Sequence, residues 1–303
     1  MAGSPYKLLD VEVPADLTSP AGMLEIFGDK NEKYSAAYIP DIEYVRYGER
    51  ALKLNLLRPK GAGARGPHPL LVYIQGSAWR PQNIYNNIPQ LADFAHQGYV
   101  VASVEYRHTL EARFPAQIQD VKAAIRFLRS NAGKYNLDPA RVAVWGDSSG
   151  GHLAVMTGVS GGVTEFDTPD YAAESSLVSA VVDFYGPSDL LQMSKFPSKI
   201  DHDDVSSPES FLVGGPIQEN KEKAAQANPI TYLSPDKTLP PFLIMHGDQD
   251  DQVPFNQSVL LYEALKEARQ NVTFYKVKGG GHGVAFWTPE VLEVVRKFLA
   301  AYV

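Results

Sequence analysis

The chain has 303 residues, 44% of them hydrophobic, enough for one large core and short for two separate ones. Its net charge of -7 repels phosphate backbones and anionic lipid, so neither nucleic acid nor a membrane surface is an expected partner. The absence of cysteine excludes disulfides, thiolate catalysis and Cys-held metal. No apolar stretch approaches the ~20 residues of a membrane helix, and "MAGSPYKLLDVEVPADL" lacks a basic-then-apolar leader pattern. The expectation is a soluble protein, cytoplasmic or else secreted or periplasmic with its leader removed.

Residues 1 to about 40 are rich in Pro, Gly, Asp and Tyr and are expected to drape over a single domain spanning 1–303. "IEYVRY" (42–47) and "ALKLNLL" (51–57) flank "GER" and predict an antiparallel hairpin. From Leu70 the pattern becomes continuous apolar runs: "LLVYI" (70–74), "YVVASV" (99–104), "VAVW" (142–145), "VSAVVDFY" (178–185), "FLIM" (242–245) and "VTFYKV" (272–277). Such runs suit strands covered on both faces. Between them Ile118, Val121, Ile125 and Leu128 share one helical face after Pro115, and Val259, Leu261, Tyr262 and Leu265 mark another helix. A last helix is expected from about Pro289 to Ala300. Alternation of strand and helix after an antiparallel start predicts an α/β fold, a mostly parallel sheet with helices on both sides. Residues 187–235 break the rhythm and are expected to form an insertion over the ligand crevice, with short helices near 189–193, 208–213 and 216–227.

"RVAVWGDSSGGHLAVM" (141–156) puts two serines between glycines where a buried strand ends. Gly146-Asp147-Ser148-Ser149-Gly150 fits G-x-S-x-G at a strand-to-helix corner, where a sharp turn lifts the Ser148 hydroxyl out of the sheet. The next amide, of Ser149, lies at a helix N-terminus and favours negative charge. A phosphate-cradling loop shares this context, but no Gly-Lys-Ser/Thr follows.

A serine needs a base, and the base an orienting acid, in the chain order Ser, Asp or Glu, His. His282 lies in the glycine-dense "KGGGHGVAF" after the last apolar strand and is the candidate base. His68, His96, His108, His152 and His202 are read as surface or satisfied polar residues, and His246 as a holder of the turn that follows it. The acid comes from "GDQDDQVP", where spacing alone does not choose among Asp248, Asp250 and Asp251. "YIQGSAWRP" (73–81) follows an earlier strand, so Ser77 and Ala78 beside Gly76 are candidates for the second oxyanion donor, with Ser149 as the first. "DHDD" (201–204) lacks the Gly and terminal Glu of a calcium loop and is read as solvated.

Together, "YIQGSAW", "VEYRHTLEARFPAQIQDVKAAIRFLR", "RVAVWGDSSGGHLA", "ANPITYLSPDKTLPPFLIMHGDQDDQVP" and "KGGGHG" resemble the α/β-hydrolase superfamily. The branch most similar is that of esterases related to hormone-sensitive lipase, which includes bacterial acetylxylan and feruloyl esterases. The resemblance implies an eight-stranded sheet, Ser148 as nucleophile, His282 as base and Asp250 as acid, since H-G-x-x-D-x-x-V-P aligns on His246 to Pro254. It implies a two-step acyl transfer on a small-molecule or oligosaccharide ester, with no metal or organic cofactor. Gln75-Gly76-Ser77-Ala78-Trp79 stands where the family has H-G-G-G-W, which leaves open whether Ser77 or Ala78 donates. Trp79, Phe211, Leu212, Phe286 and Trp287 are expected near the crevice as substrate contacts. Alternatives on the same scaffold are a general short-chain carboxylesterase and an amidase or peptidase; a non-catalytic binding module is the alternative from a different class.

Overall fold

The computed structural model describes residues 12, 21–24, 35–60 and 64–303. The chain divides into a unit of Met1–Asn31 and a unit of Glu32–Val303. Of the first, residue 12 and a turn at 21–24 are described, so the draped segment expected over 1–40 lies mostly outside the described residues. Its last part is strand instead: β1 spans Ser35–Tyr47 and pairs antiparallel with β2, Arg50–Lys60. Register shifts between Ile39 and Ile42 and between Glu43 and Val45 interrupt the alternation of side chains. The strand therefore has no continuous two-residue period, and the sequence pattern finds only its second half.

The remaining strands are β3 (His68–Ile74), β4 (Val100–Val104), β5 (Leu137–Asp147), β6 (Ala180–Phe184), β7 (Phe242–Gly247) and β8 (Val272–Val277). They form an eight-stranded sheet in the order β1-β2-β4-β3-β5-β6-β7-β8, antiparallel at β1-β2 and β2-β4 and parallel from β4 onward. The helices are α1 (Ile88–His96), α2 (Ala116–Ser130), the short α3 (Ala132–Tyr135), α4 (Ser149–Val159), α5 (Pro208–Val213), α6 (Lys221–Ala227), α7 (Asn256–Glu267) and α8 (Pro289–Tyr302).

Side-chain alternation sorts the core into two layers. Leu70, Val72 and Ile74 of β3 join a cluster that includes Ile118 and Val121 of α2, Leu153 of α4 and Leu261 of α7. Leu71 and Tyr73, pointing the other way, join Trp145 of β5 with Leu91 and Phe94 of α1 and Val295 and Leu299 of α8. Each central strand thus has apolar groups on both sides, which explains its continuous apolar run. Residues 187–235 hold 3-10 turns at Leu190–Lys195, Ile217–Glu219 and Pro229–Tyr232 around α5 and α6, close to the three short helices expected there.

One carboxyl group is sunk in this sheet. Asp183 of β6 is fully buried, its Oδ1 accepts a hydrogen bond from the Gly186 N–H at 2.9 Å, and its Oδ2 has no partner among the described residues. Burial pushes its pKa up from 3.8 to about 7, only partly opposed by the Gly186 amide. The unfolded chain releases this proton near pH 4 while the native state keeps it to about 7, so stability falls as pH rises across that window. Asp183→Asn is expected to remove that slope, which is worth a few kcal/mol at most. In thermal unfolding at pH 5 and pH 8, the Tm of wild type should drop relative to the variant; parallel curves would contradict this.

Candidate active site

β5 ends at Asp147 and α4 begins at Ser149, leaving Ser148 alone at the corner with φ 52° and ψ -125°. A non-glycine residue there carries strain of about 1–3 kcal/mol, held in place by surrounding bonds. The Ser148 N–H donates to Phe184 O at 2.8 Å, and the Ser148 carbonyl accepts from His152 N at 3.0 Å. The packing beneath the corner leaves no room for side chains. A Cβ on Gly146 would lie 2.1 Å from the Gly150 carbonyl oxygen, and one on Gly150 would lie 2.0 Å from that of Ile74.

Ser148 Oγ lies 3.1 Å from His282 Nε2, and His282 Nδ1 lies 2.8 Å from Asp250 Oδ2. A carboxylate only accepts, so Nδ1 carries the proton in the neutral ring and Nε2 is left bare towards the hydroxyl. The ring packs at a tilt of 59° against Tyr185, centroids 4.8 Å apart, and Tyr185 itself takes a positive φ of 44° at the end of β6. Of the three acids in the loop after β7, Asp250 alone reaches His282. Asp248 Oδ1 accepts from the Gly279 N–H at 2.7 Å, and Asp251 pairs with Lys199 at 2.5 Å.

Asp250 is closed off on every side. Its side chain is buried, its Oδ1 accepts from the amides of Gln252 and Val253, both at 2.9 Å, and its Oδ2 lies 3.3 Å from His246 Nε2. Burial raises its pKa, but the adjoining His246 and His282 imidazoles outweigh that and hold the carboxyl well below the usual range. His246 has the turn-holding role expected of it: Nε2–H donates to Val253 O at 3.0 Å, and Nδ1 meets Ser258 Oγ at 2.7 Å.

Opposite the corner lies the loop after β3. Its Gly76 N–H donates to Asp147 Oδ1 at 3.1 Å, and Tyr73 OH donates to the same oxygen at 2.6 Å. The Ser77 N–H is already given to Ser149 Oγ at 2.9 Å, so of the two candidate amides it is Ala78 that remains without a partner among the described residues and lines the cavity beside Ser148. Ala78 and Trp79 both take positive φ, 54° and 53°. The loop is moored by Trp79, whose Nε1–H donates to His152 Nδ1 at 3.2 Å. An indole only donates, so His152 carries its proton on Nε2 and donates to Ala227 O at 2.7 Å. Burial pushes the His152 pKa down to about 4, keeping it neutral in that role.

The cavity beside Ser148 has a volume of about 40 Å³; Ala78, Trp79, Ser149, Pro187, Ile200 and His282 are among its lining residues. Of the five expected substrate contacts, Trp79 alone lines it. Leu212 and Phe286 are buried in the two core layers, and Trp287 packs on Tyr73 and Trp145. Phe211 faces Arg80, whose guanidinium carbon lies 4.2 Å from its ring centroid. Sequence proximity to crevice loops selected these four; packing takes Leu212, Phe286 and Trp287 into or onto the core layers, while Phe211 stays against Arg80 of the loop after β3. Two polar residues that line the cavity, His202 and Glu209, were not among the candidates, and His202 belongs to the segment read as a solvated loop. The signal for them is weak: a buried pair in a Ser/Asp-rich stretch has no periodic pattern. Among the described residues no group of His, Asp and Glu side chains is arranged to hold a metal ion, and no helix is long and apolar enough to cross a membrane.

The chain is similar to proteins named as esterases and carboxylic ester hydrolases. A solved structure of a truncated carbohydrate esterase from gut microbiota superposes with a TM-score of 0.79 at 34% identity, covering 89% of this chain and 97% of that one. A bifunctional GH43-CE protein of Bacteroides eggerthii superposes with a TM-score of 0.78 at 34% identity, over 87% of this chain and 38% of that one. The probable carboxylic ester hydrolase LipM of Mycobacterium tuberculosis is 30% identical over 264 residues, 86% of this chain. Esterase LipC of the same organism is 31% identical over 79% of this chain. The chain spans 58% and 59% of the lengths of these two relatives. The BD-FAE family model matches residues 54–265, and on that match, carried by an α/β-hydrolase sheet, the chain belongs to the BD-FAE family.

Proposed function

We propose that the protein is a carboxylic ester hydrolase that works by acyl transfer through Ser148, with acetyl or feruloyl esters of plant-cell-wall carbohydrates as its substrates. The observation that carries this reading is the hydrogen-bonded sequence Ser148 Oγ, His282 Nε2, His282 Nδ1 and Asp250 Oδ2, with spacings of 3.1 and 2.8 Å. The carbohydrate esterases among its structural neighbours support the substrate class. Of the two acyl groups acetyl fits better, because about 40 Å³ is room for only a few water-sized groups.

His282 Nε2 takes the proton of Ser148 Oγ as the oxygen bonds to the ester carbonyl carbon. The carbonyl oxygen becomes an oxyanion and receives the amides of Ala78 and Ser149, the latter at the N-terminus of α4. As the carbonyl re-forms, the C–O bond to the alcohol breaks, and His282 gives its proton to the departing oxygen. Water then attacks the acyl-serine, its proton going to His282, and the acid leaves with Ser148 Oγ–H restored. Asp250 stays ionised throughout and stabilises the imidazolium formed in each half.

Ser148→Ala is expected to lower kcat on 4-nitrophenyl acetate by about 10⁶-fold. A fluorophosphonate should label wild type and not the variant; undiminished turnover or labelling would refute the role of Ser148. Asp250→Asn allows the imidazole to turn its bare nitrogen the wrong way, and kcat should fall by about 10⁴-fold with KM little changed. A loss below 10-fold would move the acid elsewhere. Among acetylated xylan, methyl ferulate and 4-nitrophenyl acetate, measured together by kcat/KM, release of acetate from xylan should exceed release of ferulate. An aminoacyl anilide turned over faster than all three would favour the amidase reading.

A further inference from the structure

The wall of the cavity facing the 77–79 loop carries a second histidine–carboxylate pair that the mechanism does not use. Both His202 and Glu209 are buried, at 1% and 3% exposure, and both line the same cavity as Ser148. His202 Nε2 lies 3.0 Å from Gln252 O and 3.1 Å from Ser198 Oγ. The carbonyl only accepts, so Nε2 carries a proton and the ring is fixed from behind. Its Nδ1 lies 3.1 Å from Glu209 Oε1, within ion-pair distance but without hydrogen-bond alignment. Burial disfavours the imidazolium, yet the Glu209 carboxylate and the Gln252 carbonyl outweigh it and raise the His202 pKa.

The other oxygen is the informative one. Glu209 Oε2 is buried and has no hydrogen-bond partner among the described residues. A buried carboxylate oxygen left unpaired costs several kcal/mol unless something completes it. Glu209 is itself a lining residue of the cavity beside Ser148, so the group nearest to completing it is one bound there. Pro208 precedes it in the cavity wall, and Ser207 Oγ accepts the Ser210 N–H at 3.0 Å, so the helix turn holding Glu209 is itself secured.

We infer that Glu209 Oε2 accepts a hydrogen bond from a hydroxyl of the ester substrate, so that the site selects esters bearing a free hydroxyl close to the scissile bond. This rests on the proposed ester hydrolysis and deepens it. The hydroxyl belongs either to the alcohol, as in a partly acylated sugar or polyol, or to the acyl group, as in a hydroxy acid; the chemistry asked of Glu209 is the same. His202 positions the carboxylate and limits its charge, so an incoming hydroxyl is preferred over a second cation.

Matched esters differing by OH for CH₃ test this. For the alcohol side the pair is ethylene glycol monoacetate and propyl acetate; for the acyl side it is 4-nitrophenyl glycolate and 4-nitrophenyl propionate. The ratio of kcat/KM within a pair cancels the amount of active enzyme. Wild type should favour the hydroxylated member of one pair by about 10- to 100-fold over the ratio of their alkaline hydrolysis rates, the range for a hydrogen bond to a charged group. The pair that responds identifies which side carries the hydroxyl. In Glu209→Leu and in the nearly isosteric Glu209→Gln that ratio should shrink, towards 1 in the leucine variant. A purely structural carboxylate would lower both rates together and leave the ratio unmoved, which overturns the proposal, as does equal preference in wild type. Failure of wild type to hydrolyse any of the four esters would instead overturn the ester-hydrolase reading.

Discussion

The site depends on how closely three backbone segments approach one another under Ser148. The Gly150 Cα packs against the Ile74 carbonyl, and Gly146 against the carbonyl of Gly150, at separations that admit no Cβ. Because α4 sits this low on the sheet, the chain must reverse within a single residue, and that residue takes φ 52°. The strain is small beside the burial that imposes it: Leu153, Val155 and Met156 of α4 are fully or almost fully excluded from water. Apolar packing of one helix therefore sets the direction of one hydroxyl. The same descent brings the Ser149 amide and hydroxyl beside the 76–78 turn, where Ser149 Oγ takes the Ser77 N–H and so decides which amide is left over.

Electrostatics complete what packing begins. Asp250 is buried, and burial alone raises its pKa. It remains ionised because two imidazoles and two backbone amides share its charge, each contact stronger for lying away from solvent. Such a carboxylate can hold His282 in one tautomer and still receive the charge that develops on the ring. His152 works in the opposite sense. With its pKa near 4 it is neutral, and its fixed tautomer accepts from Trp79 on one side and donates to Ala227 on the other. It ties the oxyanion loop to α6 without adding a charge close to the nucleophile.

Most of the sheet was legible because both faces of each central strand are covered, so that apolar runs stand out against the amphipathic helices between them. β1 was half legible, since its bulges break the period by which strands are read. The Gly-x-Ser-x-Gly turn and the glycine-rich His282 loop were legible because tight backbone geometry limits residue choice. The loop acids were not separable by residue spacing: Asp248, Asp250 and Asp251 differ in their partners, Gly279, His282 and Lys199, and all three of those are far away in sequence. Phe286 and Trp287 do not line the cavity, for a related reason. Phe286 and Trp287 follow His282 within a few residues, yet one packs on Tyr185 and Phe184 and the other on Tyr73 and Trp145. Neighbourhood along the chain says nothing about which way a ring turns at the sheet edge.

His202 and Glu209 were invisible for a deeper reason, and the segment 250–253 explains it. Its amides at Gln252 and Val253 point to Asp250 Oδ1, while its carbonyls point outward, that of Val253 to His246 and that of Gln252 to His202. One turn of four residues thus fixes three histidines, two of them drawn from segments far apart in the chain. His282 meets an aligned carboxylate and keeps a bare nitrogen for the nucleophile; His202 meets a carboxylate off-axis and leaves that carboxylate with an oxygen to spare. Both pairs join an imidazole to a carboxylate, with opposite outcomes. What separates them is the angle at which each ring meets its acid, a property of the assembled backbone that no local pattern of residues encodes.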